Sequence, residues 1–257
     1  MIKNSFIFLD KISQASEKKL WQQKILHWDD FVGTKNIQSI GNARKVLYDQ
    51  QIAVAHKALQ QNDAVRLSKL FPKSEHWRLY DMFKDETCYL DIETSGYYGD
   101  ITVVGIYDGR ETKTMVKGKN LDPHVLKNLL QQYKMIISFN GSSFDLPIIN
   151  KYYPNTIPDM VHIDLRHVLA KLGFSGGLKK IEKQLGIKRA EEVSDIKGSD
   201  AVYLWNMYKA TGKENYLELL VKYNEEDIVN LKPLAEFAYK EMKNKIFDSV
   251  LTEKLIL

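Results

Sequence analysis

Residues 87–100 read TCYLDIETSGYYGD, and this stretch decides how the chain folds. Its apolar, β-forming run ends on Asp91 and Glu93, which are separated only by Ile92. Side chains on a strand alternate between the two faces of a sheet, so residues two apart share a face. The run therefore predicts a buried strand that presents two carboxylates side by side at its end, while Ile92 faces the core.

Two carboxylates on one face repel each other, and one of them gains a proton unless a cation lies between them. A divalent metal ion removes that conflict, and oxygen ligands favour magnesium or manganese. An Asp-x-Glu pair also occurs by chance at solvated strand ends, so the pair by itself leaves both interpretations open.

Two later segments carry further candidates for the same site. Asp145 lies in SFNGSSFDLP, directly after the apolar run KMIIS, at the predicted start of a helix that stabilises a carboxylate. Tyr223 and Asp227 lie in VKYNEEDIVNL, four residues apart and therefore on one face of a predicted amphipathic helix. Each has a structural alternative, because Asp145 is typical of a helix N-cap and Tyr223 can hydrogen-bond to Asp227 within a core.

Strand and helix patterns place these acids in an α/β fold. From Thr87 the runs TCYLDIE, DITVVGIYDG and ETKTMVKG predict three strands joined by short turns, which favours an antiparallel meander. DPHVLKNLLQQY then predicts a helix with Asp122 as N-cap, and KMIISFN and DMVHIDL predict two more strands. The order β-β-β-α-β-α-β, followed by helices, predicts a mixed sheet flanked by helices.

The N-terminal third differs from the rest in pattern and in charge. Short helices over residues 1–35 and helical propensity over residues 42–71 predict a helical region 1–75, followed by an α/β domain 76–257. Residues 1–85 carry 14 Lys and Arg against 9 Asp and Glu, whereas the remainder carries 23 against 24. A basic region joined to clustered acids suits a polyanion held beside a metal site.

In combination the acidic motifs resemble those of the DEDD superfamily of 3′–5′ exonucleases, which have a ribonuclease-H-like fold. LDIET, FNGSSFDLP and YNEED are similar to its three exonuclease motifs, and the second also resembles the proofreading domain of family B DNA polymerases. Residues 77–234 resemble the YprB-like branch through WRLYDMF, GGLKKIEKQLG, AVYLWNMY and YNEEDIVNL. Tyr223 stands four residues before Asp227, and Lys222 takes the place of the catalytic histidine of other members, so the match is to the DEDDy type.

The resemblance implies a metal-dependent 3′–5′ exonuclease that acts on single-stranded DNA or RNA ends. Its four acids would hold two divalent ions, Mg²⁺ or Mn²⁺, with Asp91 bridging both, and Tyr223 would orient the attacking water. The implied catalytic residues are Asp91, Glu93, Asp145, Tyr223 and Asp227.

Three other residues are candidate nucleic-acid contacts. Two glycines precede the amphipathic helix that carries Lys179 and Lys180, so its backbone N–H groups and lysines would face a phosphate. Solvated lysines at a helix start are the structural alternative. Asn140, in the turn before Asp145, is the third candidate.

Residues 6–33 resemble a degenerate helix-hairpin-helix, a module that brings backbone N–H groups to DNA phosphates. Lys11, Ile12 and Ser13 stand where the hairpin glycines are expected. The alternative is a helical cap that only packs on the catalytic domain. This N-terminal part favours DNA over RNA as substrate.

Single residues and the chain start add further expectations. Cys88 is the only cysteine, which excludes intrachain disulfides, favours the cytoplasm and predicts a small core residue. The N-terminus lacks a secretion-signal pattern, and no apolar run approaches the roughly 18 residues of a membrane span. His162 and His167 lie near Asp164 but match no ordinary zinc spacing, so we expect structural roles for both.

Two other functions compete with the exonuclease. The first is a catalytically silent nucleic-acid-binding protein that retains the fold, and the presence of all five motif residues counts against it. The second is a structure-specific endonuclease of the same fold, and the Tyr-x-x-x-Asp pattern counts against that one. The oligomeric state stays open.

Overall fold

The computed structural model describes residues 1–96 and 99–251, with side chains described up to residue 247. The chain forms two compact units. The first contains residues 1–84 and the described residues from 239 onward, and the second contains residues 85–238. The division into a nucleic-acid-binding region 1–75 and an exonuclease domain 76–257 stays a prediction.

The first unit is helical, as predicted. A 3-10 turn at Ile2–Asn4 precedes its α-helices, and another at Lys73–Leu79 joins the last two. The segment 42–71 forms two helices because Asn62 adopts a left-handed φ of 52° and the Asp63 side chain caps the next helix by accepting a hydrogen bond from the N–H of Arg66. The helices are α1 (Gln14–Gln22), α2 (Trp28–Gly33), α3 (Asn42–Gln60), α4 (Ala64–Leu70) and α5 (Tyr80–Phe83).

Residues 7–11, near the start of the predicted hairpin module, form turns. The buried Glu17 carboxylate accepts the N–H groups of Phe6 and Ile7, and Arg78 pairs with the same carboxylate. The Glu17 side chain thus accepts hydrogen bonds from backbone N–H groups, and these bonds replace backbone–backbone bonds of regular secondary structure. The segment before Lys11, Ile12 and Ser13 is therefore not the α-helix that a helix-hairpin-helix has there, and α1 forms the helix that follows them.

The second unit is built on a mixed sheet with the strand order β3-β2-β1-β4-β5. β1 pairs antiparallel with β2 and parallel with β4, while β2–β3 is antiparallel and β4–β5 is parallel. This sheet confirms the predicted meander and the predicted α/β class. Its strands are β1 (Thr87–Thr94), β2 (Ile101–Tyr107), β3 (Thr112–Val116), β4 (Met135–Ser138) and β5 (Val161–Asp164).

Helices follow and flank these strands. A further 3-10 turn, Lys84–Glu86, precedes β1. α12 contains Pro233 and runs from the second unit into the first. None of the helices in the described part of the chain combines the length and apolar character of a membrane span. The helices are α6 (Pro123–Leu130), α7 (Asp145–Tyr152), α8 (Leu165–Lys171), α9 (Leu178–Leu185), α10 (Glu191–Ser194), α11 (Gly198–Thr211) and α12 (Glu214–Leu251).

Two separate apolar clusters include residues of the sheet. Cys88, Leu90 and Ile92 belong to one cluster, which includes buried residues of α6 and α7. A second cluster joins β2 and β3 to α10, α11 and α12 and contains Tyr223. Since side chains alternate along β1, Asp91 and Glu93 point away from the first cluster. The prediction that Cys88 and Ile92 are core residues is confirmed.

Candidate active site

The end of β1 and one face of α12 bring three carboxylates together. One oxygen each from Asp91, Glu93 and Asp227 lies within 4.8 Å of the other two. Glu93 and Asp227 are buried, while Asp91 is partly exposed. Glu93 and Asp227 thus share one cleft, although they are 134 positions apart in sequence.

Asp145 lies beside this group but is not one of the three. It is the first residue of α7, whose N-cap is Phe144, so the N-cap alternative for Asp145 does not apply. Its Oδ1 accepts a hydrogen bond of 3.0 Å from the N–H of Ile92, the residue between the two acids of β1. Asp145 therefore anchors the strand end that presents Asp91 and Glu93.

The acids are strongly coupled electrostatically. Burial raises the pKa of Asp91 and of Glu93 well above ordinary values, and the charges of Asp145 and Asp227 raise both pKa values further. Burial also raises the pKa of Asp145 to about 7, although its hydrogen bond from Ile92 opposes that change. The cluster accumulates more negative charge than its surroundings stabilise.

Tyr223 lies one helical turn before Asp227 and is buried. The Nζ of Lys179 lies 4.8 Å from the centre of its ring. Burial, followed by the charges of Asp227, Glu93 and Asp91, holds the pKa of the phenol far above its ordinary value. Tyr223 therefore keeps its proton at neutral pH and is able to donate a hydrogen bond.

Arg189 is a site residue that the sequence motifs did not reveal. Its Nη2 lies 2.5 Å from Asp227 Oδ1, so the two side chains form an ion pair. The same guanidinium holds the buried Glu182 carboxylate through two bonds of 2.6 and 2.7 Å. Asn230 also donates to Glu182 at 3.0 Å. This network positions Asp227 and gives it a partner other than Tyr223.

Asn224 is a second unpredicted residue, although it stands inside the YNEED motif. Its Nδ2 donates a hydrogen bond of 2.8 Å to Asp91 Oδ2. Gly105 is the β2 partner of Asp91, and a Cβ at this glycine would lie only 2.0 Å from Asn224 Oδ1. The absence of a side chain at Gly105 therefore allows Asn224 to reach Asp91.

We expect Gly105→Ala to weaken divalent-metal binding by roughly tenfold, since loss of a partner that orients a ligand typically has this effect. The added methyl group must displace the Asn224 amide, which then no longer orients Asp91. Gly198→Ala is a suitable control because a Cβ at Gly198 meets nothing within 4 Å. Titration of Mn²⁺ by isothermal calorimetry measures the effect, and equal affinities for both variants would contradict it.

The three candidate nucleic-acid contacts lie in different surroundings. Asn140 Oδ1 accepts a hydrogen bond of 2.6 Å from Arg166, which fixes its amide. Lys179 is half-buried against Tyr223, and its Nζ also donates to the carbonyl of Val193 at 3.3 Å. Lys180 is exposed on α9. Their roles in binding nucleic acid stay predictions.

The residues around His162 and His167 support the structural roles expected for these histidines. His162 Nε2 lies 2.8 Å from the hydroxyl of Ser138. Asp164 accepts the backbone N–H groups of Asn140 and Ser142, so it holds the loop that leads to Asp145. His167 Nε2 is 3.8 Å from Asp164 Oδ2, at the exposed edge of this loop.

The donor set of the cleft fits a divalent cation. Asp91, Glu93 and Asp227 offer only carboxylate oxygens, which suit hard cations such as Mg²⁺ and Mn²⁺ better than softer metals. Asp227 Oδ1 also lies 2.5 Å from Arg189 Nη2, so a bound ion would share this carboxylate with the guanidinium. An added cation would also offset the repulsion that raises the pKa values of these acids.

A pH titration checks this electrostatic account. The folded-state pKa of Asp145, about 7, lies above its ordinary value of 3.8, so the folded protein binds more protons than the unfolded chain between these limits. Without divalent metal, the contribution of Asp145 to stability should be fully present below this range and should be lost as the pH rises through it. We expect the melting temperature of the Asp145→Asn variant to decrease less steeply with pH than that of the wild type. Identical slopes for both proteins would contradict the raised pKa of Asp145.

Comparisons with known proteins agree with this architecture. The family described as the RNase_H superfamily matches residues 88–239. The chain belongs to this superfamily, and its mixed sheet flanked by helices is a ribonuclease-H-like fold. The matched region contains all five motif residues of the cleft. No curated protein matches the chain.

Several solved structures are similar to parts of the chain. The family B DNA polymerase of the archaeon Pyrobaculum calidifontis is 14% identical, with 58% of this chain and 24% of that chain covered and a TM-score of 0.47. The chain thus spans about a quarter of that polymerase. Brucella melitensis NrnC is 17% identical over 65% of this chain and 78% of that chain, with a TM-score of 0.45. A structure described as the apo form of a nuclease is 14% identical, with the same coverage and TM-score.

Proposed function

We propose that the protein is a metal-dependent 3′–5′ exonuclease of the DEDDy type and of the YprB-like branch. The convergence of Asp91, Glu93 and Asp227 carries this proposal, because three carboxylates within 4.8 Å suit a shared cation. Asp145 beside β1 and Tyr223 beside Asp227 complete the expected set. The substrate would be a single-stranded nucleic-acid end, with DNA favoured over RNA, in the cytoplasm.

Each residue has a role that its contacts support. Two bound divalent ions would neutralise charge on the attacking and leaving oxygens of the displacement. Asp91, Glu93 and Asp227 would hold these ions, and Asp145, hydrogen-bonded to β1, would complete the second site. Arg189 and Asn224 would orient the acids through the contacts described above.

Tyr223 would position the attacking water. Its phenol keeps its proton at neutral pH, so it acts through a hydrogen bond and not as a general base. Lys179, above the Tyr223 ring, would face the negative charge of the scissile phosphate. The water oxygen joins phosphorus and releases a proton to solvent, the P–O3′ bond breaks, and the released 3′ oxygen takes up a proton from solvent. The product is a nucleoside 5′-monophosphate.

The two competing functions require different features. A silent binding protein has no need for a buried tyrosine beside coupled acids, and retaining unneutralised buried carboxylates is unfavourable without a cation. An endonuclease would cut within a strand and would release oligonucleotides. The experiment that follows distinguishes all three functions.

Incubation of 5′-labelled single-stranded DNA and RNA with the protein and Mn²⁺, followed by sizing on a denaturing gel, tests the proposal. We expect a ladder that shortens by single nucleotides from the 3′ end, with DNA degraded faster than RNA. EDTA should abolish the ladder. Discrete internal fragments would indicate an endonuclease, and intact strands with both substrates would leave the silent binding protein.

A further inference from the structure

A small polar cavity lies in the first unit, apart from the acidic cleft. Its volume is about 130 Å³, and its walls come from four places in the chain. These are the turn before α1, α1 itself, residues 38–40, and the first turns of α3. The proposed exonuclease chemistry uses none of these residues.

Three cations line the cavity: Lys11, Lys19 and Arg44. No Asp or Glu is among the lining residues. Within the part of the chain that the structure describes, none of the three side chains has an ion-pair partner, whereas the neighbouring Lys45 is paired with Asp49. The cavity therefore concentrates positive charge that the protein itself does not neutralise.

Hydrogen bonds between the walls fix the shape of this cavity. Gln23 Oε1 accepts the N–H of Gln38 at 2.9 Å, which joins the end of α1 to residues 38–40. The Tyr48 hydroxyl donates to the carbonyl of Asp10 at 2.6 Å, which joins α3 to the turn before α1. The side chain of Asp10, the nearest acid in sequence, is exposed and does not line the cavity. A ligand would therefore meet preformed walls, beside which the three exposed cations are free to reorient.

We infer that this cavity binds a phosphate group of a nucleic-acid backbone. Lysine and arginine side chains that line a small concave surface are common partners of phosphate oxygens, and the arginine adds a planar fork of donors. The choice of nucleic acid over another phosphorylated ligand rests on the proposed function and on the basic balance of residues 1–85. The cavity then binds the nucleic-acid strand at a second point, in addition to the acidic cleft.

The test compares two double variants of the full-length protein. Lys19→Ala/Arg44→Ala removes two cavity cations from helical positions, and Lys57→Ala/Lys73→Ala removes two exposed cations of the same unit outside the cavity. Binding of a fluorescein-labelled single-stranded 20-mer is measured by anisotropy at several salt concentrations. EDTA is present, so the measurement does not depend on hydrolysis.

We expect the cavity variant to bind roughly tenfold more weakly, with a salt dependence reduced by about 0.7 for one lost phosphate contact. The control variant should change less than about twofold, since its cations make no defined contact. Equal losses in both variants would indicate general electrostatic attraction and would overturn the inference. So would unchanged binding by a cavity variant whose circular dichroism matches the wild type.

A third arm separates a strand phosphate from a free anion. Inorganic phosphate is titrated into the wild type and the cavity variant by calorimetry. If phosphate binding releases heat in the wild type but not in the cavity variant, while both proteins bind the 20-mer equally, the cavity is a small-anion site. That result would overturn the inference. Cavity-dependent 20-mer binding without any nucleotide release would instead refute the exonuclease proposal and leave this inference standing.

Discussion

Asp91→Ala is expected to reduce nucleotide release by roughly a thousandfold or more in Mg²⁺ or Mn²⁺. The substitution removes a carboxylate that would hold the metal ions together with Glu93 and Asp227. Asp91 faces Glu93 and Asp227 directly, so its loss disrupts the whole donor set. Single-turnover release of labelled mononucleotide measures this loss. Hydrolysis at the wild-type rate would refute the assignment of Asp91.

The fold should survive this substitution. Burial and neighbouring acids raise the pKa of Asp91 well above its ordinary value, so alanine relieves repulsion in the metal-free protein. We therefore expect its melting temperature in EDTA to equal or exceed that of the wild type. Glu226→Gln is the matched control, since Glu226 lies next to Asp227 but outside the three-carboxylate group. This control should retain hydrolysis within about twofold.

Tyr223→Phe should reduce kcat by roughly a hundredfold, while the affinity for single-stranded DNA changes less than about threefold. Phenylalanine retains the ring beneath Lys179 and its place in the apolar cluster, and loses only the hydroxyl that would orient water. Rates at saturating substrate and anisotropy in EDTA separate the two effects.

Tyr203→Phe is the control for the loss of a tyrosine hydroxyl. Tyr203 lies on α11 and is 57% exposed, so its hydroxyl contacts solvent. We expect both kcat and affinity of this variant to match the wild type. If Tyr223→Phe weakened binding and left kcat unchanged, its hydroxyl would contact the bound strand and would not position water.

Local patterns predicted much of the sheet and of the cleft. Alternation along TCYLDIET predicted that Asp91 and Glu93 share a face and that Ile92 is buried, since strand geometry alone determines this arrangement. The short turns after β1 and β2 predicted the antiparallel meander, which the strand pairing confirms. The spacing of Tyr223 and Asp227 likewise predicted one helical face.

Features that depend on distant contacts were not predictable in this way. Arg189 lies in a polar segment without a motif, and only the folded chain brings it to Asp227 and Glu182. Gly105 resembles any strand glycine until its pairing with Asp91 places it against Asn224. Each of these residues acts through a partner far away in sequence, so no local pattern carries the information.

The most direct test of the central claim is anomalous diffraction from crystals soaked in Mn²⁺. The account predicts anomalous density between the carboxylates of Asp91, Glu93 and Asp227, and its loss in crystals of the Asp91→Ala variant. Well-ordered crystals without manganese density in this cleft, at a concentration that supports hydrolysis in solution, would contradict the account.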